Sequence, residues 1–338
     1  MAEKIKRFKT KVVQIGSVKI GGQNPIAVQS MTNTFTTDIN ATVKQIGDCA
    51  GAGCDIIRVT VPDQKSAEAL ARIKKLSPLP VVADIHFDYR LAIGAIEAGA
   101  DKIRINPGNI ADKTKLKEII TAAKKRQIPI RMGINSGSTK KDLVKLAIEY
   151  CEFFEAQKFC NIVLSLKSSS VKDSLDAYLR LIKKRNYPLH IGITEAGTEY
   201  YGTIKSAVGL GALLSRGIGD TLRVSLTADP VKEVIAARAV LKSLGLITAP
   251  EVISCPTCGR TQIDIIGLAN QVEKKLQTVR KNITVAVMGC AVNGPGEAAH
   301  ADYGIAGGKG QGLLFAKGKK IKTVPEKDLL AELFRLIG

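Results

Sequence analysis

Residues 81–106 read VVADIHFDYRLAIGAIEAGADKIRIN, and their alternation decides the fold. Residues 81–85 form a short apolar run of strand length. Residues 89–98 then carry apolar side chains at helical spacing, and residues 102–105 open a second short run. A strand, a helix and another strand in so short a stretch is the unit that joins neighbouring parallel strands.

Working outward, the same unit recurs along the chain. Strand-like runs fall at 26–29, 56–61, 81–85, 102–105, 128–134, 162–166, 189–194 and 221–226. Helical patterns follow at 38–50, 64–76, 89–98, 113–126, 139–156, 172–185, 200–214 and 230–244. Asp38, Asp63 and the pair Asp229-Pro230 suit helix starts, because Asp accepts from free N–H groups and Pro fits the first helical position. Eight such units predict an α/β fold of the (β/α)8 TIM-barrel type, with an open doubly wound sheet as the competing architecture. Three units share D-x-[IL]-R: Asp55 with Arg58, Asp101 with Arg104 and Asp220 with Arg223. A short hairpin at 11–15 and 18–20 precedes the first unit. From residue 249 the pattern changes, so the expected domains are a barrel over 1–248 and a smaller α/β domain over 249–338, joined at Thr248-Ala-Pro250.

The chain has 338 residues, 45% apolar and 24% charged. That composition excludes wholesale disorder, and no apolar run is long enough for a membrane span. The Lys-rich start lacks the apolar stretch of a secretory leader, so a cytoplasmic protein is expected. A net charge of +19 favours anionic partners. A basic nucleic-acid module is a weak reading, because there is no Trp, aromatic residues make up 4%, and the notable cations sit in strands rather than on a surface stripe.

Those cations are Arg58, Arg104, Arg131, Lys167 and Arg223. Parallel strands in a barrel bring equivalent positions to one rim, and the C-terminal rim is where barrel enzymes place their sites. Five cations without matching carboxylates predict a dense anion such as a diphosphate among them. The loops 106–109 and 133–138 add small residues and backbone N–H groups, and Ser168 and Ser225 add hydroxyls. Asp84 and His86 end one strand facing the same way. His190 reads as a hydrogen-bonded core residue, and Glu195 as an acid just past a strand end.

In the smaller domain, Cys255 and Cys258 form a C-x2-C pair, and Cys290 supplies a third thiol. Two metal chemistries fit. A zinc site would need a fourth ligand such as His300, whereas an iron–sulfur cubane can use three thiolates. Glu297 lies seven residues beyond Cys290, past a rigid Asn293-Gly-Pro-Gly296 turn. Cys49, Cys54, Cys151 and Cys160 read as small buried residues of the barrel.

PIAVQSMTNT (25–34), ADIHFDYRLA (83–92), IRINPGN (103–109), RMGINSGS (131–138), GITEAGT (192–198), SCPTCGR (254–260) and MGCAVNGPGE (288–297) together resemble the bacterial 4-hydroxy-3-methylbut-2-enyl diphosphate synthase family of the methylerythritol phosphate route. The resemblance runs nearly the whole chain, and the last two motifs are specific. It implies a barrel like that of dihydropteroate synthase and a small iron–sulfur domain resembling half of sirohaem sulfite reductase. It also implies a [4Fe–4S] cluster held by Cys255, Cys258, Cys290 and Glu297. The diphosphate of 2-C-methyl-D-erythritol 2,4-cyclodiphosphate would be held by Arg58, Arg104, Arg131, Asn135, Lys167, Arg223 and Ser225, with His86 beside them. Glu195 would be the catalytic acid, and Asn293 would lie beside the cluster near the substrate carbons. The implied partners are reduced flavodoxin or ferredoxin and a second copy of the chain in a head-to-tail homodimer, with neither nucleic acid nor membrane. The competing enzyme reading is a non-redox pterin-type barrel transferase with a structural zinc domain.

Overall fold

The computed structural model describes residues 5–110, 112–135, 137, 141–277, 279, 281–290 and 298–338. The chain divides into two compact units, Met1–Ile247 and Thr248–Gly338.

The first unit opens with the hairpin β1 (Val13–Ile15) and β2 (Val18–Ile20). Eight parallel strands follow: β3 (Ala27–Met31), β4 (Ile56–Thr60), β5 (Val81–Ile85), β6 (Lys102–Ile105), β7 (Ile130–Asn135), β8 (Ile162–Lys167), β9 (His190–Ile191) and β10 (Thr221–Leu222). Their order is β8-β7-β6-β5-β4-β3-β10-β9, and a parallel bridge from Leu164 to Leu189 joins the two ends. The architecture is therefore a TIM-like barrel. Between the strands run α1 (Ile39–Gly51), α2 (Gln64–Leu76), α3 (Tyr89–Glu97), α4 (Lys113–Arg126), α5 (Leu143–Ala156), α6 (Val171–Leu181) and α7 (Glu199–Leu214), and α8 (Pro230–Ser243) follows the last. Asp38, Asp63, Asp88, Asp112, Asp142 and Asp229 each accept a hydrogen bond from a backbone N–H in the first turn of the following helix. Each such cap is worth about 1 kcal/mol.

Alternation along the strands sorts the barrel into an outer core and three inner layers. Outward residues such as Val28, Ile57, Ala83, Ile103, Met132, Leu164, Ile191 and Leu222 pack under the helices. Inside, Ala27, Ile56, Val82 and Val163 form an apolar layer with Val13, Ile15 and Ile20, so the hairpin plugs the N-terminal mouth. Gln29, Lys102, Ser165, His190 and Thr221 make a buried polar layer above it. Arg58, Asp84, Arg104, Arg131, Lys167 and Arg223 stand above that, toward the C-terminal mouth.

The repeated D-x-[IL]-R units have a definite structural job. The Asp55 carboxylate accepts from Val28 N (2.7 Å), Asp101 from Val81 N (2.7 Å) and Asp220 from Leu189 N (2.8 Å). Each Asp thus satisfies a backbone donor on the neighbouring strand, and the Arg three residues on faces the barrel interior. The Asp side chains pair elsewhere, with Arg238, Lys74 and Arg7 respectively.

Two strands are shorter than the sequence predicts. β9 and β10 leave the ladder after two residues, where backbone approaches backbone: a Cβ on Gly192 would lie 2.4 Å from the Arg223 carbonyl oxygen.

The second unit is a five-stranded sheet in the order β11 (Glu251–Ser254), β12 (Thr284–Met288), β13 (Tyr303–Gly308), β14 (Gln311–Ala316) and β15 (Lys319–Pro325). The first three strands are parallel and the last two antiparallel. Helices α9 (Ile265–Leu276) and α10 (Leu329–Ile337) supply Val272, Leu276, Leu333 and Ile337 to a core with Val285, Val287, Ile305 and Leu314.

Candidate functional site

At the C-terminal mouth of the barrel, Arg58, Arg104, Arg131, Asn135, Lys167, Arg223 and Ser225 line one cavity, together with Gly133, Ser165 and Thr194. Strand alternation delivers them. Arg104 and Arg131 are register partners across β6 and β7, and Asn135 and Lys167 across β7 and β8. Two glycines leave room for the long side chains. A Cβ on Gly133 would lie 2.8 Å from Arg104 Nε, and one on Gly192 would lie 2.7 Å from Lys167 Nζ.

The sequence reading of cations without matching carboxylates needs correction. Asp84, 2% exposed, accepts from Arg104 Nη1 at 3.0 Å and stands 3.5 Å from Arg58 Nε. Glu233, on the first turns of α8, accepts from Arg223 Nε (3.1 Å) and Nη2 (3.0 Å), from Ser30 Oγ (3.1 Å) and from Leu226 N (3.0 Å). Neither acid stands out in the sequence as a counter-charge. Asp84 lies inside an apolar run, and Glu233 lies on a helix that only the fold brings to Arg223.

The two acids leave the charge unbalanced. Among the described residues, Arg131 and Lys167 have no carboxylate partner, and Arg131 Nε has no hydrogen-bond acceptor. Burial and then the neighbouring guanidiniums push Arg131 and Lys167 well below their ordinary values. Burial likewise lowers Arg58, to about 10, although Asp84 opposes it. Burial works to raise Asp84, but Arg58, Arg104 and Arg131 overcome it and hold the carboxyl down at about 2. The pocket's own groups are therefore short of negative charge.

His86 Nε2 lies 3.4 Å from Arg104 Nη1, at the rim of the same group. Glu195 is exposed and follows the lining residue Thr194, on backbone in the left-handed region at φ 51°. That conformation is uncommon for a residue with a Cβ and is found preferentially at functional positions. His190 is fully buried one layer down, its Nδ1 3.5 Å from Thr221 Oγ1.

In the second unit, Cys255 directly follows β11 and Cys290 lies two residues past β12, the adjacent parallel strand. Gly289 N donates to Cys255 Sγ at 3.3 Å, which ties the two loops together. Cys258 is exposed, and Arg260, through its backbone N–H and its guanidinium, lowers the thiol toward the thiolate form that binds metal. Soft thiolate donors on two neighbouring loops fit an iron–sulfur group in their chemistry. Among the described residues no three metal-binding side chains converge on one point. Asn293 and Glu297 lie outside the described residues, as does Ser138 of the barrel loop. Of the barrel cysteines, Cys49, Cys54 and Cys151 are buried, which raises them to about 11, 12 and 12. Cys160 is exposed, contrary to the sequence reading, because it sits in the turn between α5 and β8.

With this geometry in place, likeness to known proteins becomes informative. Residues 10–238 match the GcpE TIM-barrel domain, and residues 251–338 match the GcpE protein C-terminal domain. The chain belongs to the GcpE family. Two relatives, each named 4-hydroxy-3-methylbut-2-en-1-yl diphosphate synthase (flavodoxin), are 53% identical to it. That of Fusobacterium nucleatum aligns over 97% of both chains. That of Clostridium acetobutylicum aligns over 98% of this chain and 99% of its own. Among solved structures, the N-acetylneuraminic acid synthetase of Leptospira borgpetersenii superposes with a TM-score of 0.53 at 15% identity, covering 82% of this chain and all of that one. Dihydropteroate synthase of Yersinia pestis gives 0.50 at 13% identity over 69% and 98%. Identities this low show a common barrel and nothing of its chemistry. For a GcpE-family barrel, the pocket residues outside the sequence-predicted set are Ser165 and Thr194, with Glu233 behind them. Inward alternation on strands already assigned is the signal that could have found Ser165.

Proposed function

We propose that the chain catalyses the reductive ring opening of 2-C-methyl-D-erythritol 2,4-cyclodiphosphate, releasing (E)-4-hydroxy-3-methylbut-2-enyl diphosphate and water. Full-length identity of 53% to synthases of that name supports the reading and disfavours a pterin-type transferase. The observation that carries it is the pocket itself, in which five buried or half-buried cations face one cavity and only two carboxylates answer them among the described residues.

A cyclic diphosphate supplies the missing negative charge. Guanidiniums on different strands can each bind phosphate oxygens through paired N–H groups, which fixes the ring's orientation as well as its affinity. Arg58, Arg104, Arg131, Lys167 and Arg223 hold the diphosphate. Asn135 and Ser225 donate to it, and His86 closes the rim. Glu195 delivers a proton to the departing hydroxyl so that it leaves as water.

Cys255, Cys258, Cys290 and Glu297 would hold a [4Fe–4S] cluster, with Asn293 beside it. The bound cluster supplies electrons one at a time for cleavage of the C–O bond. Residues 1–248 act as the diphosphate domain and 249–338 as the cluster domain, brought together in a head-to-tail homodimer. Reduced flavodoxin, with ferredoxin as the alternative donor, is the electron source. A net charge of +19 would steer such an acidic partner. No helix among the described residues is long and apolar enough to cross a membrane, and a cytoplasmic setting without nucleic acid completes the reading.

Anaerobically purified protein, incubated with the cyclodiphosphate and reduced flavodoxin, tests the function. Formation of the enyl diphosphate in proportion to bound iron and sulfide is expected. Full turnover by metal-free protein, or none by iron- and sulfide-loaded protein, would overturn it.

A further inference from the structure

Beneath the diphosphate pocket, the polar layer of the barrel contains an amine that the reaction above does not use. Lys102 opens β6 and points inward, one layer below Arg104. It is 0% exposed, and its Nζ has one partner among the described residues, Gln29 Oε1 on β3, at 3.3 Å. No carboxylate pairs with it among the described residues. The groups facing it are Arg58 from β4, Arg131 from β7 and His190 from β9. Asp84 on β5 is in register with Arg104, one layer higher, and is engaged by Arg58 and Arg104. Three polar atoms around this layer, Gln29 Nε2, His190 Nε2 and Arg131 Nε, have no partner among the described residues.

A lysine in such a place cannot comfortably hold its charge. Burial first, and then Arg131 and Arg58, push it well below its ordinary value, as burial and four guanidiniums do Lys167 in the pocket above, so the amines rather than the guanidiniums are the members of the cation group that give up protons in the ligand-free barrel. The guanidiniums keep theirs. A diphosphate bound among Arg58, Arg104 and Arg131 reverses the local field, and Lys102, which Arg131 and Arg58 hold down in the free barrel, is a base on the floor that can answer it.

We propose that Lys102 is a proton store under the diphosphate subsite, taking one proton from solvent when the cyclodiphosphate binds, so that binding and proton uptake are coupled. The proposal rests on the functional reading above. Its chemistry is a simple transfer: the buffer acid loses a proton, the lysine amine becomes an ammonium ion, and no electrons move. Lys102 is a positioning residue, because it acts on the substrate through Arg131 and Arg58. The linkage has a definite sign. A ligand that raises a group's proton affinity binds more weakly as pH rises, through the interval between that group's free and bound values.

The test is calorimetric titration of the cyclodiphosphate into the cluster-loaded enzyme, in buffers of the same pH and different ionisation enthalpies. The slope of apparent enthalpy against buffer enthalpy counts protons taken up. Wild type should take up about one proton more than Lys102→Met. In turnover, the rise of KM with pH should be shallower in that variant, with kcat unchanged. Lys102→Gln is the second variant, and it should match Lys102→Met in proton count. Removing a buried amine should also leave the melting temperature unchanged or higher. Equal proton counts in wild type and both variants would overturn the proposal. So would failure of both variants to fold, because an amine uncharged in the ligand-free barrel is replaceable by an uncharged side chain. Absence of any binding by wild type would instead sink the functional reading, and this inference with it.

Discussion

Arg104 Nη1 lies 3.0 Å from Asp84 Oδ1, and both side chains are almost fully buried at the barrel mouth. The second oxygen of the same carboxylate stands 3.5 Å from Arg58 Nε. One acid therefore orders two of the five cations before any ligand arrives, while Arg131 and Lys167 are left for the ligand to neutralise. A pocket with no internal acid would scatter its arginines, and one with a full set would have no need of a diphosphate.

Replacing Asp84 by Asn should destabilise the ligand-free protein by about 3 kcal/mol, the usual cost of leaving buried charges unpaired. Added cyclodiphosphate should restore more stability to this variant than to wild type. The sign with pH follows from the carboxyl's depressed value of about 2 against an ordinary 3.8. Its contribution is full above pH 3.8 and is lost as the pH falls through about 2. Thermal melts with and without ligand, repeated across that range, check this. A D84N variant that melts like wild type at neutral pH would contradict it.

Gly133→Ala should weaken substrate binding while the barrel stays folded. The new methyl would sit 2.8 Å from Arg104 Nε, so the guanidinium must move, at about 1–3 kcal/mol. Expressed as KM, that is an increase of about fivefold to about 150-fold. Steady-state kinetics, with circular dichroism as the folding control, measure it.

Cys290→Ser should abolish iron and sulfide binding without unfolding either unit, because Cys290 lies beyond β12 rather than inside it. Absorbance, iron content and far-ultraviolet circular dichroism read this out. A fully active, cluster-free C290S variant would remove the metal from the account.

Glu195→Gln should keep substrate affinity and lose turnover, since the amide preserves shape and cannot deliver the proton. Binding calorimetry alongside single-turnover kinetics separates the two. Normal turnover with poor binding would assign Glu195 to the substrate grip instead.

Much of this molecule is written locally, and the exceptions have physical reasons. The barrel follows from a strand–helix alternation repeated eight times, and the helix starts at Asp38, Asp63 and Asp229 follow from capping chemistry. Arg58, Arg104 and Arg223 are conspicuous because charge is costly in a strand buried on both faces. Glu233 is invisible, because nothing in its own helix signals that the fold will set it 3.0 Å from Arg223. Gly192 reads as an ordinary strand glycine until Lys167 and the Arg223 backbone are in place beside it. Lys102 stands at the start of a short apolar run, where a lysine reads as a solvated strand end. Only closure of the barrel puts its amine inside.

Titration of the cyclodiphosphate into wild type and Arg104→Ala, with inorganic pyrophosphate as competitor, tests the central claim most directly. The cation pocket predicts that pyrophosphate displaces the substrate, that affinity falls steeply with added salt, and that Arg104→Ala binds about tenfold more weakly or worse. Binding of the same strength in both proteins, insensitive to salt and to pyrophosphate, would contradict it.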